Sequence, residues 1–485
     1  MRKFIKTSLL IIIIFTNSCT KEHEIPSNIV EHDFVWKGLN AYYYWQSDKP
    51  DLADTRFRNQ NQLNDFSQSF SSPEEIFENL LNKSKDRFSV IVNDYVALEN
   101  SFQGQTLSNG MELAVFPEKD NSTNIYGVVR YVVPNSDAAA KGVLRGMVFN
   151  AVDNTQLTTN NFRNLLFGSN TDYTINLANF NEGNPVLNGN SISLSKSDLQ
   201  ENPVAIVKTF NEGARKIGYL LYNQFASNYD AELNAAFGTL KANGVTDLIV
   251  DLRYNGGGSV RTATYLGSMI TKQSNETIFS QQVWNEKVMK VIPPSNLENY
   301  FTDQIRNIDE NGDVVLEESI NSLNLSSVYF IVSENTASAS ELVINALKPF
   351  IDVILIGTKT VGKHVGSITL YDSDNYRKNG ANFNRTHNYA MQAIVLEIKN
   401  SKGENKPEGF EPDAEIAEDF GENSNNVNLG VLGEKSDPLL NRAINYINNV
   451  ANALNKSSVP KRRKQITNSK LEKPFANEMY VDLKD

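Results

Sequence analysis

The chain has 485 residues, 40% of them hydrophobic and 21% charged, so wholesale disorder is excluded and there is length for about two to four domains with a sizeable core. Its formal net charge of −11 argues against nucleic acid as the main partner, because phosphate recognition needs a basic face. A single cysteine, Cys19, leaves no internal disulfide.

The chain opens with Arg2, Lys3 and Lys6, an apolar run over 9–15 that is too short to span a bilayer as a stable helix, and Thr16-Asn-Ser-Cys19. This order resembles a bacterial lipoprotein signal over residues 1–19, which implies Cys19 as the lipidated first residue of the mature chain. A buried free cysteine in an uncleaved anchor is the other reading. Thr20 follows where an inner-membrane protein would carry aspartate, so the resemblance implies a lipid-anchored cell-envelope protein of the outer membrane. Glu22 and Glu24 point to export to the surface.

Residues 20–98 read as a tether and a helical N-terminal domain. An aromatic-rich helix covers 32–45, and a second begins at Ser72 with Pro73 at its first position and Glu74 and Glu75 in its first turn. The Ala41-Tyr-Tyr-Tyr-Trp45 cluster suits a core, with carbohydrate stacking as the alternative. Residues 99–203 change to short strands at 111–116, 125–133, 147–152 and 173–177, interrupted by helical patterns at 136–141 and 159–167. From 204 to 457 come a strand over 216–225, an amphipathic helix over 231–243, and a buried strand running into Asn255-Gly-Gly-Gly258. A polar insertion, 271–324, holds Asp309-Glu-Asn-Gly312, which reads as a hairpin turn rather than a calcium loop. Return strands lie near 390–398, and a last helix over 437–454 is capped by Asp437 with Pro438 behind it. Residues 458–485 read as a polar basic tail carrying Lys461-Arg-Arg-Lys464, solvated or resting on anionic lipid.

The chemistry concentrates in 328–363. A buried strand over 328–332 leads into Thr336-Ala-Ser338-Ala-Ser-Glu341 and a helix from about Ala339, then a strand over 353–356 and Gly357-Thr-Lys-Thr-Val-Gly362-Lys363. Small residues around Ser338 leave its hydroxyl at a strand-to-helix turn, where unpaired N–H groups gather, which suits a nucleophile. The same spacing from Ser338 to Glu341 is that of a capping box. Lys363, among glycines and apolar residues with no acid from 357 to 370, is a candidate neutral base. The glycine–lysine pattern also matches a phosphate loop, but His364 stands where serine or threonine should hold magnesium and the sequence continues as a strand. A Ser-His-Asp triad would have to recruit His364 or His387.

Asp251-Leu-Arg-Tyr-Asn-Gly-Gly-Gly258, Thr336-Ala-Ser-Ala-Ser-Glu341 and Gly357-Thr-Lys-Thr-Val-Gly-Lys363, in this order after 99–203, resemble the C-terminal processing (tail-specific) serine peptidases. The resemblance implies a multidomain α+β protein: a helical N-terminal domain, a PDZ-like β domain at 99–203 and an α/β peptidase domain of the crotonase or ClpP type at 204–457. It implies Ser338 as nucleophile, Lys363 as general base, and an oxyanion hole from the backbone N–H groups of Gly257 and Ala339. Ser367 stands where the family carries the glutamine that orients the lysine, Gly256 replaces a usual proline, and Met147 replaces the aspartate of a Gly-Asp pair. The implied activity is an envelope endopeptidase that cuts unfolded or tail segments of proteins through an acyl-enzyme, with no metal or organic cofactor. The rival is a non-catalytic PDZ-bearing lipoprotein that binds peptides or hydrophobic ligands.

Overall fold

The computed structural model describes residues 24–309, 312–421, 426–449, 464–473 and 476–481. The expectations on the 1–19 signal, Cys19, Thr20, Glu22, residues 461–463 and the last helix beyond 449 lie outside those residues. The fold is mixed α and β. Its centre is a six-stranded sheet in the order Val204–Glu212, Arg215–Tyr222, Asp247–Asp251, Ser327–Val332, Asp352–Gly357, Ala414–Glu415. The first pair is an antiparallel hairpin and every later pairing is parallel.

The inner strands Arg215–Tyr222, Asp247–Asp251 and Ser327–Val332 are largely buried on both faces, which is why they read as apolar runs rather than alternations. Leu248, Val250, Phe330 and Leu355 point into one core, and Ile249, Ile331 and Ile356 into another on the opposite face. The helix Ala339–Leu347 covers the first face, and the helix Pro438–Ile447, capped by the Asp437 carboxylate, covers the second. The first helices, Val30–Tyr42 and Pro73–Leu80, add Phe34, Leu39, Ile76, Phe77 and Leu80 to that first core, so they share it with the sheet. Gly38 sets the closeness of this packing: a Cβ there would lie 2.5 Å from Cε of Met391. Tyr43, from the aromatic cluster, is fully buried.

A second sheet joins Gly258–Ser259, Met479–Tyr480, Val365–Tyr371, Ala390–Asn400, Ile278–Trp284 and Glu298–Tyr300, with Val90–Val92 also pairing on Ala390–Asn400. A third joins Thr467–Asn468, Met111–Pro117, Ile125–Val132, Val148–Val152, Asp172–Asn181 and Asn184–Ser195, around a core of its own that includes Leu113, Val129, Phe149 and Phe162. The strands Gln304–Ile308 and Val314–Ser319 pair antiparallel, and Gly312 N–H donates to the Asp309 carbonyl between them, as a hairpin turn requires.

One expectation is overturned here. Residues 464–473 and 476–481 are no solvated tail: Thr467, Asn468, Ser469 and Met479 are buried, and both strands of this segment join sheets. Each is two residues long, too short to show a period, and its hydrogen-bond partners come from strands distant in sequence. Among the described residues no helix is long and apolar enough to cross a membrane.

Candidate active site

The loop after Asp247–Asp251 is held by a buried ionic cluster. Arg253, with no exposed surface, turns back on Asp251 (Nη2–Oδ2 2.6 Å) and reaches Glu418 (3.2 Å) and Asp437 (2.9 Å). Tyr219 donates to the same Asp251 carboxylate at 2.9 Å. With its stem fixed, the loop presents Asn255, which donates through Nδ2 to the Tyr222 carbonyl and accepts the Gly257 N–H on Oδ1 at 2.9 Å. The Asn255 carbonyl in turn accepts from Ala337 N–H and the Ser340 hydroxyl, so the glycine loop is bolted to the serine turn. Gly257 has φ of 115°, and a Cβ there would stand 2.6 Å from the Ser338 Cβ and 3.0 Å from the Ala339 nitrogen. Only glycine fits this approach.

Ser338 sits between the strand Ser327–Val332 and the helix Ala339–Leu347 with φ 60° and ψ −117°, a conformation that costs a serine about 1–3 kcal/mol. The turn is over-determined: Thr336 Oγ1 donates to the Leu252 carbonyl and Ser333 Oγ to that of Arg253. Glu341 does more than the capping-box spacing indicates. Its buried carboxylate accepts from the N–H of Ser338 (3.0 Å), Gly362 (2.7 Å) and Lys363 (2.8 Å) and from Thr360 Oγ1, tying Ser338 and Lys363 to one group. Burial pushes its carboxyl up, and these four donors oppose that.

Lys363 is buried, with its amine 4.9 Å from the Phe88 ring centre. Burial pulls its pKa down, against the opposing charges of Glu478, Asp86 and Glu341. The expectation that no carboxylate lies near is therefore corrected: Glu478 Oε2 is 3.4 Å from Nζ, brought in from a segment far along the chain. Ser367 does not contact the lysine directly; its hydroxyl donates to the same Glu478 oxygen at 2.7 Å and accepts from Gln392 Nε2 at 2.9 Å. Gln392 was not anticipated, although a glutamine inside the apolar strand Ala390–Asn400 with no exposed surface is a signal that could have marked it. The Ser338 hydroxyl donates to the Asn477 carbonyl at 2.8 Å.

The histidines go elsewhere. His364 lies 3.9 Å from Glu397, and His387 pairs with Asp372 at 3.0 Å. After Lys363 the chain enters the strand Val365–Tyr371 rather than a helix, so the phosphate-loop alternative has no helix N-terminus to offer. Among the described residues no group of three or more His, Cys, Asp or Glu is placed to hold a metal. A groove of about 890 Å³ has walls that include Arg261, Tyr265, Arg306, Ile368 and Tyr480.

This geometry accompanies a clear pattern of similarity. Residues 216–416 match the model of peptidase family S41, and residues 31–90 match the peptidase S41 N-terminal domain. A C-terminal processing peptidase of Tetradesmus obliquus chloroplasts is 24% identical over 279 residues, covering 55% of this chain and 53% of that protein. The carboxyl-terminal-processing peptidase 2 of Arabidopsis thaliana chloroplasts is 26% identical over 279 residues, covering 56% of this chain and 48% of that one. The chain thus spans about half the length of these relatives. The crystal structure of a putative S41 protease from Bacteroides fragilis shares the fold, with TM-score 0.65 and 22% identity, over 86% of this chain and 97% of that one.

Proposed function

Because the chain belongs to peptidase family S41, we propose that it is an endopeptidase that cuts unfolded or tail segments of proteins with Ser338 as nucleophile and Lys363 as general base. What carries this reading is Glu341, whose one carboxylate holds the backbone of both residues beside the triple-glycine loop. A neutral Lys363 amine takes the hydroxyl proton as Ser338 Oγ bonds to the peptide carbonyl carbon. The oxyanion formed is held by the N–H groups of Ala339 and Gly257, the latter leaving Asn255 to do so. The C–N bond breaks, the leaving amine takes the proton from Lys363, and water, deprotonated by the same amine, releases the acyl group. Ser367, supported by Gln392, orients the lysine once Glu478 is withdrawn.

The third sheet, as a PDZ-like domain, takes the extended substrate on the edge of Met111–Pro117 where Thr467–Asn468 pairs, in place of that strand. Cys19 anchors the mature chain by lipid in the cell envelope, at the outer membrane. Casein hydrolysis by the chain from residue 20, beside Ser338→Ala and Lys363→Ala, tests the chemistry: activity in the parent lost in both variants supports it, and cleavage that survives Lys363→Ala rejects it. Fatty-acid labelling of cells that is lost in Cys19→Ser tests the anchor.

A further inference from the structure

The stretches 464–473 and 476–481 do not pass by the site; both pack into it. Upstream, Thr467–Asn468 adds antiparallel to Met111–Pro117, with Thr467 opposite Val115 and Asn468 opposite Ala114. Ile466 N–H donates to the Val115 carbonyl at 2.8 Å and Ser469 N–H to that of Leu113 at 3.0 Å. Lys470 then buries its amine against the carbonyls of Asn223 (2.9 Å) and Tyr254 (3.1 Å). Downstream, Met479–Tyr480 lies between two strands, parallel to Gly258–Ser259 on one side and to Val365–Tyr371 on the other. Tyr480 stacks on Phe102 with ring centres 4.5 Å apart. Main-chain pairing with side-chain pockets at intervals is how a groove holds an extended peptide of any origin.

Between these anchors the serine, the lysine and Ser367 are engaged by the segment itself. The Ser338 hydroxyl donates to Asn477 O, the Gly258 N–H donates to Glu478 O at 2.6 Å, and Glu478 Oε2 takes both Lys363 and Ser367. As a result Ser338 has no exposed surface. The contacts are those of a block rather than of a substrate about to be cut. The nucleophile's proton points at a carbonyl oxygen instead of at the base, the Gly257 amide stays on Asn255, and a carboxylate facing Lys363 favours the ammonium form that cannot accept a proton.

We propose that residues 464–473 and 476–481 belong to a built-in inhibitory peptide, which occupies the substrate track at the sheet edge and at the nucleophile and holds the enzyme off until an extended peptide displaces it. This rests on the peptidase reading above. Glu478 is the disarming group, and Gly256 makes room for the segment: a Cβ there would stand 1.8 Å from the Ala476 carbonyl oxygen, so a larger residue must expel it.

The test uses the full chain from residue 20 and two substitutions. Glu478→Gln keeps the segment's shape and removes its charge; Gly256→Ala pushes its backbone out. Both are expected to raise kcat/KM on casein by about tenfold or more. A synthetic peptide of residues 464–481 should inhibit the Glu478→Gln chain, whose site stays open to it, competitively and remain uncut by mass spectrometry. No rise in either folded variant, or cleavage of the peptide between Asn477 and Glu478, overturns the proposal. If Gly256→Ala does not fold, Glu478→Gln decides alone. Binding of the labelled peptide, read by fluorescence anisotropy on Glu478→Gln carrying Ser338→Ala, separates the two readings. Binding to that chain and not to the parent, with no hydrolysis by any form, sinks the peptidase and keeps the inhibitory segment. Hydrolysis by the parent with no binding does the reverse.

Discussion

At the scale of single residues, two groups carry the sharpest consequences. Gly257→Ala would place a methyl 2.6 Å from the Ser338 Cβ and force a side chain onto φ of 115°. We expect a loss of about 1–3 kcal/mol of stability by urea titration and roughly a hundredfold loss in kcat, because the loop that must face the oxyanion moves. For Lys363 the sign of the pH effect follows from its neighbours. With Lys363 as the proposed base, activity requires the unprotonated amine, so kcat/KM is expected to rise with pH as the ammonium loses its proton, in a range that burial sets below the ordinary lysine range. Glu478 raises that pKa, so Glu478→Gln moves the rising limb to lower pH, while Asp86 and Glu341 continue to oppose burial. A limb that stays put or moves up in the pH profile contradicts this. The turn at Ser338 and the burial of Lys363 were legible in the sequence because each sits in a short motif of small and apolar residues. Glu478 and Gln392 were not, because nothing local in Asn477-Glu-Met or Met391-Gln-Ala tells which distant hydroxyl their side chains meet.

At the scale of elements, the strand Asp247–Asp251 and the turn after it depend on charges that the sequence displays without explaining. Arg253 looks like an ordinary charged residue after a strand, yet it is fully buried among Asp251, Glu418 and Asp437. Removing one partner of such a cluster is far more costly than never having built it, since the carboxylates remain buried without their cation. Arg253→Met should therefore destabilise the chain by about 3–5 kcal/mol in urea unfolding, far more than removal of the exposed ion pair Lys359–Glu411. The strands and helices around this cluster were readable because burial on two faces writes long apolar runs. The helix Pro438–Ile447 was readable from its aspartate cap and proline. The two-residue strands Thr467–Asn468 and Met479–Tyr480 carry no such pattern, and their place is set by edges they borrow from other parts of the chain.

At the scale of the whole molecule, Glu418 is the point where separate parts are clamped together. Its carboxylate takes Arg145 from the third sheet's region at 2.6 Å and Arg253 from the central sheet at 3.2 Å, and it accepts from Tyr254 OH as well. Burial works against its charge, but Arg145 and Arg253 outweigh that and hold the carboxyl down at about 2. In the unfolded chain the same group titrates near an ordinary glutamate, about 4.3. Between those values the unfolded state binds the extra proton, so stability rises with pH there and is lost as pH falls from about 4.3 toward 2. The stabilisation at stake is about 3 kcal/mol, present in full above the upper value. Urea midpoints measured from pH 6 down to pH 2 should fall steeply in the parent through that window. In Glu418→Gln they should start lower at pH 6 and fall less, because the group that takes up the proton is gone. Parallel pH slopes in the two chains would place the acid sensitivity elsewhere. Because the clamp joins the third sheet to the central one, its protonation should also loosen the track that runs between them from Met111–Pro117 to Ser338, so acid exposure is expected to release the segment 464–481 before the central sheet unfolds. Hydrogen exchange at pH 3 reads this order directly: amides of 466–470 and 479–481 should lose protection ahead of those in Asp247–Asp251 and Ser327–Val332, and simultaneous loss would mean the clamp and the sheet fail as one unit.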